Sequence, residues 1–208
     1  NQIGAIVGSQ PFGGEGLSGT GPKAGGPNYL PRFRGGARRV AEDAGGEPLA
    51  TAEVQSALSS LSVPEPDPQV TDLPGPTGES NRLSLVPRGR VLCLGPGAAA
   101  AFAQAARALY ADCAVLIVAP GALEHEFAAH GSVAALDGTV APESLTELQG
   151  IAAVMSDAED VALRAVRTAL AAREGAIVPL VTNADPDILL SLERHLCVDT
   201  TAAGGNAA

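Results

Sequence analysis

From Arg88 onward, the apolar positions fall into short continuous runs that alternate with longer periodic stretches. Val91-Leu92-Cys93-Leu94 is an apolar run stopped by Gly95-Pro96-Gly97, the pattern of a strand covered on both faces. Ala98–Tyr110 sets Phe102, Ala106 and Leu109 on one helical face. Ala114–Val118 predicts a second strand, closed by Pro120-Gly121. A short helix over residues 123–130, a strand over 132–136 and another at Ile151–Met155 follow. Ser156-Asp157 introduces a helix over 158–173. Residues 176–181 read as a last strand, in which Pro179 marks an edge or a strand end. Residues 187–196, after Asp185-Pro186, read as a helix. Strands alternating with helices imply right-handed crossovers and a parallel sheet, so residues 88–196 are expected to form a small Rossmann-like domain.

The chain before Arg88 has a different texture. Residues 5–7 predict a short apolar strand that runs into a turn-rich loop. Apolar and polar residues alternate over 28–33, the mark of a short strand or extended arm. Gly35-Gly36 and Gly45-Gly46 bracket basic and then acidic residues, so 34–46 reads as a linker or insertion. Arg32, Arg34, Arg38 and Arg39 cluster there, either as an anion site or as a solvated face. Thr51 is a candidate N-cap for a helix over 51–61, with Val54, Leu58 and Leu61 at helical spacing. Pro64, Pro66 and Pro68 enforce extended backbone, and residues 70–88 are expected to be an irregular connection, ordered across a partner surface.

Composition narrows the classes. The 208 residues carry a net charge of -10, so the acidic chain repels a phosphate backbone and nucleic acid is not an expected partner. Aromatics are 3% and Trp is absent, so a core must be built from Ala, Val and Leu. Such a core buries less area per residue and leans on neighbouring surfaces. Cys93, Cys113 and Cys197 are widely spaced and sit in or beside apolar strands. They read as buried reduced thiols, which fits a cytoplasmic location. No apolar run is long enough and free enough of charge to span a bilayer. The chain opens at Asn1 inside one motif and stops inside another, so it is expected to be the C-terminal piece of a longer polypeptide.

The candidate chemistry lies in the opening loop. Gly8, Gly13, Gly14, Gly16, Gly19 and Gly21 surround Pro11-Phe12. Glycines let backbone N–H groups approach a ligand and converge on an anion, and the lone aromatic can form a pocket wall. The order Gly8-Ser9-Gln10-Pro11-Phe12-Gly13-Gly14, Ser18-Gly19-Thr20-Gly21, Gly25-Gly26-Pro27 resembles the end of an aldehyde dehydrogenase catalytic domain. The string from Pro11 to Pro27 is similar to one branch, the glutamate-semialdehyde (pyrroline-5-carboxylate) dehydrogenase half of the bifunctional proline utilization A (PutA) family. Leu73-Pro74-Gly75-Pro76-Thr77-Gly78-Glu79 with Pro87-Arg88-Gly89-Arg90-Val91-Leu92-Cys93 resembles that family too, as does Asp199-Thr200-Thr201-Ala202-Ala203-Gly204-Gly205-Asn206-Ala207.

The resemblance implies a division into four parts. Residues 1–34 would end the catalytic domain and carry its aldehyde anchor loop, and 35–87 would be an insertion and a Pro/Gly-rich linker. Residues 88–196 would be a Rossmann-like domain without catalytic activity, and 197–208 a C-terminal sealing motif. It further implies that backbone donors at Gly4 and Ala5 bind the substrate carboxylate while Phe12 packs on its aliphatic chain. The substrate would be L-glutamate γ-semialdehyde, oxidised with NAD. The nucleophile, base and NAD site would lie before Asn1, so the segment alone would be inactive. FAD is expected only in a proline dehydrogenase half. The implied partners are the remainder of the polypeptide and further copies in a homo-oligomer, and the intact protein could sit peripherally at the inner face of the membrane.

Two other motifs compete with this reading. Gly95-Pro96-Gly97-Ala98-Ala99-Ala100 follows a strand and opens a helix, as a dinucleotide phosphate loop does. The ribose-binding acid is missing where the second strand ends, at Val118-Ala119-Pro120, so a domain that binds no nucleotide is favoured over an independent nucleotide-binding one. His125 and His130 are five apart, about 140° around a helix, and cannot share a metal. A module that only interacts or covers, without catalysis, remains the other functional class.

Overall fold

The computed structural model describes residues 5–124 and 131–199. Helix α1 (Thr51–Ser60) is followed by strands β1 (Gln69–Leu73) and β2 (Glu79–Pro87). Next come β3 (Arg90–Cys93), helix α2 (Ala98–Tyr110), β4 (Ala114–Val118) and β5 (Val133–Leu136). Helix α3 (Ser144–Glu147), β6 (Ile151–Met155), helix α4 (Asp160–Ala171), β7 (Leu180–Val181) and β8 (Ser191–Asp199) complete the order. The fold is mixed α/β.

Strands β3 to β7 form a parallel sheet in the order β5-β4-β3-β6-β7. The first strand in sequence is central, and the strand order reverses between β3 and β6. Side chains alternate across the sheet. Leu92, Leu116, Val118 and Val154 meet Val54 and Leu58 of α1, Leu145 of α3 and Val166 and Leu170 of α4. Val91, Cys93, Val115, Ile117 and Met155 meet Ala101, Ala105 and Ala108 of α2 on the other face. Alanines at that spacing let the α2 backbone lie close to the sheet.

The antiparallel sheet has the order β1-β2-β8, with nine residues of β2 paired along β8 from Glu79↔Asp199 to Pro87↔Ser191. Two expectations fail here. Residues 70–88 are a hairpin rather than an irregular connection; Pro74 and Pro76 fall in its loop, where Glu79 N–H donates to Pro76 O at 3.1 Å. Residues 187–196 are not a helix: a 3₁₀ turn at Asp187–Leu190 leads into β8. The edge of β2 offers a full ladder, and that tertiary pairing overrides the local leucine spacing.

Smaller departures follow the same logic. Residues 5–7 form a turn, with Ile6 O accepting from Ser9 and Gln10 N–H, and not a strand. Residues 28–33 are turn and 3₁₀ helix, Pro31 sitting at the first helical position with its fixed φ. The strand expected over 176–181 shortens to Leu180–Val181. Ala50, not Thr51, caps α1, and Thr51 Oγ1 instead meets Ser144 Oγ at 2.8 Å. Of the helix expected over 123–130 only residues 123 and 124 are described, within a 3₁₀ turn at Ala122–Glu124; residues 125–130, with both compared histidines, lie outside the described residues. Among the described residues no helix is long and apolar enough to cross a membrane.

Candidate functional site

The glycine-rich loop is fixed by the stretch that returns beside it, through an isolated antiparallel bridge between Phe12 and Ala24. Phe12 N–H donates to Ala24 O at 3.0 Å, and Ala24 N–H donates back to Phe12 O at 2.8 Å. Gly8 N–H donates to Gly25 O at 2.8 Å. Gly25 has φ +74°, and a Cβ there would stand 3.3 Å from Val7 Cα, so the close approach needs glycine. Ile6 N–H is held by Gln10 Oε1 at 3.1 Å.

Of the three expected substrate-binding residues, Gly4 lies outside the described residues. Ala5 is exposed at the start of the loop. Phe12 commits its amide to Ala24 and leaves its ring 73% exposed. A cavity of about 190 Å³ lies under the loop, lined by Glu15, Gly16, Gly19, Arg88, Ile177 and Leu192 among others; neither Ala5 nor Phe12 lines it. The structure thus ties Phe12 and Gly8 to one backing strip, residues 23–28, and presents the Phe12 ring outward.

That strip rests on β8. The Glu193 carboxylate is 6% exposed. Its Oε2 accepts Lys23 N–H at 2.5 Å and its Oε1 accepts Asn28 Nδ2 at 2.8 Å. On the same sheet Glu79 Oε1 accepts from Gln10 Nε2 at 3.0 Å and from Asn81 Nδ2 at 2.5 Å, while His195 Nε2 lies 3.1 Å from Asn81 Oδ1. Burial lowers the His195 pKa, with Glu79 opposing that effect. At the rim Arg194 pairs with Glu15 at 2.8 Å, and its hydrogen bond holds the Glu15 carboxyl below its ordinary value.

A second concavity lies where the strand order reverses, at the carboxyl ends of the parallel strands. Open α/β sheets take ligands at that position. Here residues 36–49 cross it as a strap. Gly36 N–H donates to Ala184 O and Arg39 N–H to Asn183 Oδ1, beyond β7. Ala41 N–H donates to Asp157 O, beyond β6. A Cβ on Gly97, beyond β3, would meet Ala44 Cβ at 3.4 Å, and one on Gly46 would meet Pro120, beyond β4. Leu49 N–H donates to Thr139 O, beyond β5. The strap therefore visits all five strand ends in their spatial order.

Beneath it, buried Asp157 accepts Asn183 N–H at 2.6 Å and Gln104 Nε2 at 2.8 Å, and Gln104 also holds both backbone groups of Gly95. The space left at the start of α2 is about 410 Å³ and is lined by residues 41–44 and 96–100. Glu42 and Asp43 line it, where a dinucleotide would bring its pyrophosphate. The arginine cluster disperses: Arg38 meets Ala158 O and the Asp160 carboxylate, while Arg32 lies over the rings of Tyr29 and Phe33.

The cysteines are all free thiols. Cys93 and Cys113 are buried, and burial pushes both thiols up, away from the reactive thiolate. Cys197 is exposed on β8, against the expectation that all three are buried, and Gln10 Nε2 lies 3.7 Å from its Sγ.

Sequence reasoning missed the strap and Glu193. The alternation Leu192, Arg194, Leu196 against Glu193, His195 and Cys197 was the available sign that 191–199 is a strand with a polar face. The strap carried no periodic sign, because its contacts are scattered backbone hydrogen bonds, two side-chain partners and close glycine packing rather than one apolar face.

No family model matches the chain. The bifunctional protein PutA of Escherichia coli (strain K12) is 38% identical over 245 residues, which takes in 100% of this chain and 18% of that protein. The bifunctional protein PutA of Salmonella typhimurium is 39% identical over 246 residues, with the same shares, and that of Rhizobium meliloti 34% over 232 residues, 100% of this chain and 19% of that protein. Among solved structures, a bifunctional proline utilization A protein is 28% identical with a TM-score of 0.46, over 55% of this chain and 13% of that one. A mutant of Bradyrhizobium japonicum proline utilization A is 30% identical with a TM-score of 0.46 over the same shares. The chain thus spans under a fifth of the length of the curated relatives it matches. Identity sustained from end to end at this level makes the chain a segment of a bifunctional proline utilization A (PutA) protein, and it belongs to that family.

Proposed function

We propose that this segment serves an NAD-dependent L-glutamate γ-semialdehyde dehydrogenase, the aldehyde-oxidising half of proline breakdown to glutamate. Residues 1–34 supply the aldehyde anchor loop. Backbone N–H groups at Gly4 and Ala5 receive the substrate α-carboxylate, and Phe12 packs on its aliphatic chain. Residues 88–196 are a Rossmann-like unit that covers rather than catalyses, and 197–208 seal a cavity at a domain or subunit boundary. When bound, NAD supplies the hydride acceptor; its site and the nucleophile belong to the preceding part of the polypeptide. FAD belongs to the proline dehydrogenase half.

The observation that carries this reading is the bracing of the glycine loop. A loop that positions a carboxylate must hold its amides still before the ligand arrives. The Phe12–Ala24 and Gly8–Gly25 hydrogen bonds give it that stiffness, and the outward Phe12 ring leaves a surface for the catalytic part to enclose. The crevice of the parallel sheet supports the covering role of the rest. It carries a strap and two carboxylates where phosphates would sit, and buried apolar side chains at Val118 and Ala119 where a ribose-binding acid would stand.

Positioning affects binding more than bond-making. In the intact enzyme Ala5→Pro removes one N–H and should raise KM for L-glutamate γ-semialdehyde while kcat changes little. Unchanged kinetics would take Ala5 out of the site. For the sealing role, deleting residues 198–208 should slow the coupled conversion of proline to glutamate more than either half-reaction. Equal losses in all three would count against a lid.

A further inference from the structure

We propose that Glu193 is a positioning residue for aldehyde binding: it clamps both ends of the strip on which the substrate loop rests. This inference depends on the reading of residues 1–34 as the aldehyde anchor loop. The geometry is specific. One carboxylate uses both oxygens, taking Lys23 N–H at 2.5 Å and Asn28 Nδ2 at 2.8 Å. Between those two points the strip bears the loop: Ala24 exchanges two hydrogen bonds with Phe12, and Gly25 O accepts from Gly8 N–H. The ends of the strip are thus pinned by β8, and its middle sets the height of Phe12 and of the turn that begins at Ala5.

The chemistry favours this role over mere surface contact. A carboxylate 6% exposed is costly to bury unless its lone pairs are satisfied. Hydrogen bonds to a charged acceptor are stronger and more directional than neutral ones, so they fix the strip in one place. Glu193 is itself held by the antiparallel ladder, opposite Leu85 of β2, so the clamp stands on a regular element rather than on another loop. Its hydrogen bonds run to the strip, so its influence on the loop passes through the strip.

The test is steady-state kinetics on the intact enzyme with three changes. Glu193→Ala removes both acceptors and should raise KM for L-glutamate γ-semialdehyde about tenfold or more, the scale of one lost charged hydrogen bond, with kcat within about threefold. Glu193→Gln keeps the shape and one acceptor, but turns an NH2 toward the other donor; its KM should fall between wild type and Ala. Leu58→Ala, a core lesion under α1 and away from the strip, should lower thermal stability without moving KM. Should Glu193→Ala fail to fold, the Gln variant carries the same comparison.

A normal KM in Glu193→Ala or Glu193→Gln, beside a raised KM in Ala5→Pro, would overturn the clamp and leave the anchor loop standing. If Ala5→Pro also leaves KM unchanged, the anchor-loop reading has failed, and amide exchange at Gly8 and Phe12 then decides the clamp. Faster exchange at both in Glu193→Gln upholds the bracing of the strip alone, without its role in aldehyde binding, and wild-type exchange refutes the bracing too.

Discussion

Gly46 and Pro120 are in contact so close that a Cβ on Gly46 would stand 2.7 Å from Pro120 Cγ. The contact fixes the strap over the end of β4, and Gly46 holds φ +137°, where side chains are strained whatever the space. Gly46→Ala should therefore destabilise the fold by about 1–3 kcal/mol, seen as a lower urea midpoint with unchanged slope. Gly36→Ala is the control, because a Cβ there meets nothing within 4 Å. Equal stability of the two variants would mean that the strap does not bear on the sheet.

The same strap sets the expectation for nucleotides. With residues 41–44 over the start of α2, titration calorimetry on the protein should register no NAD⁺ site that depends on residues 95–100. A substitution such as Ala99→Glu, at an exposed position of the helix start, should leave the NAD⁺ affinity of the intact enzyme unchanged. A large loss of affinity in that variant would assign the cofactor to this crevice.

Thiol chemistry should separate the cysteines. All three thiols are shifted up, but Cys93 and Cys113 are buried whereas Cys197 is exposed, so access separates them. Peptide-level mass spectrometry after brief alkylation at pH 8 should find Cys197 labelled first. Cys93 and Cys113 should follow only under unfolding conditions. Early labelling of Cys113 would contradict its burial against Leu190 O, 3.4 Å from its Sγ.

The Glu15–Arg194 pair gives a signed pH effect. Its partner depresses the folded pKa of Glu15, so the stabilisation is fully present above the unfolded value, about 4.3, and is lost as pH falls through the folded value. Both side chains are more than a third exposed, so the contribution should stay below about 1 kcal/mol. Wild type and Glu15→Gln should differ in unfolding free energy at pH 6 and converge as pH falls below the unfolded value of about 4.3 and through the lower folded one. A gap that widens toward low pH would reverse the assignment.

How much of this could be read from the residues depends on what encodes each element. Ala114–Val118 and Ile151–Met155 are buried on both faces, so their continuous apolar runs announce them. Helices α1, α2 and α4 announce themselves by helical spacing of apolar residues. β8 does not, because its leucines match a helix as well as a strand, and only the free edge of β2 decides between them. Residues 36–49 are illegible for a different reason: their course is fixed by scattered main-chain hydrogen bonds, the Asn183 and Asp160 side chains and the close Gly46–Pro120 contact, none of which leaves a periodic pattern. For the candidate site, the order of residues in the glycine loop pointed to the family, but the carboxylate that braces the loop lies 170 positions from Lys23 and has no local sign.

The central claim is that the loop at the start of this chain receives the substrate while the parallel sheet only covers. Hydrogen–deuterium exchange of the intact enzyme, with and without saturating L-glutamate, tests it most directly. The account predicts slower exchange at Gly4, Ala5 and neighbouring loop amides, and no change at residues 95–101. Protection confined to the start of α2, with the loop unaltered, would contradict it.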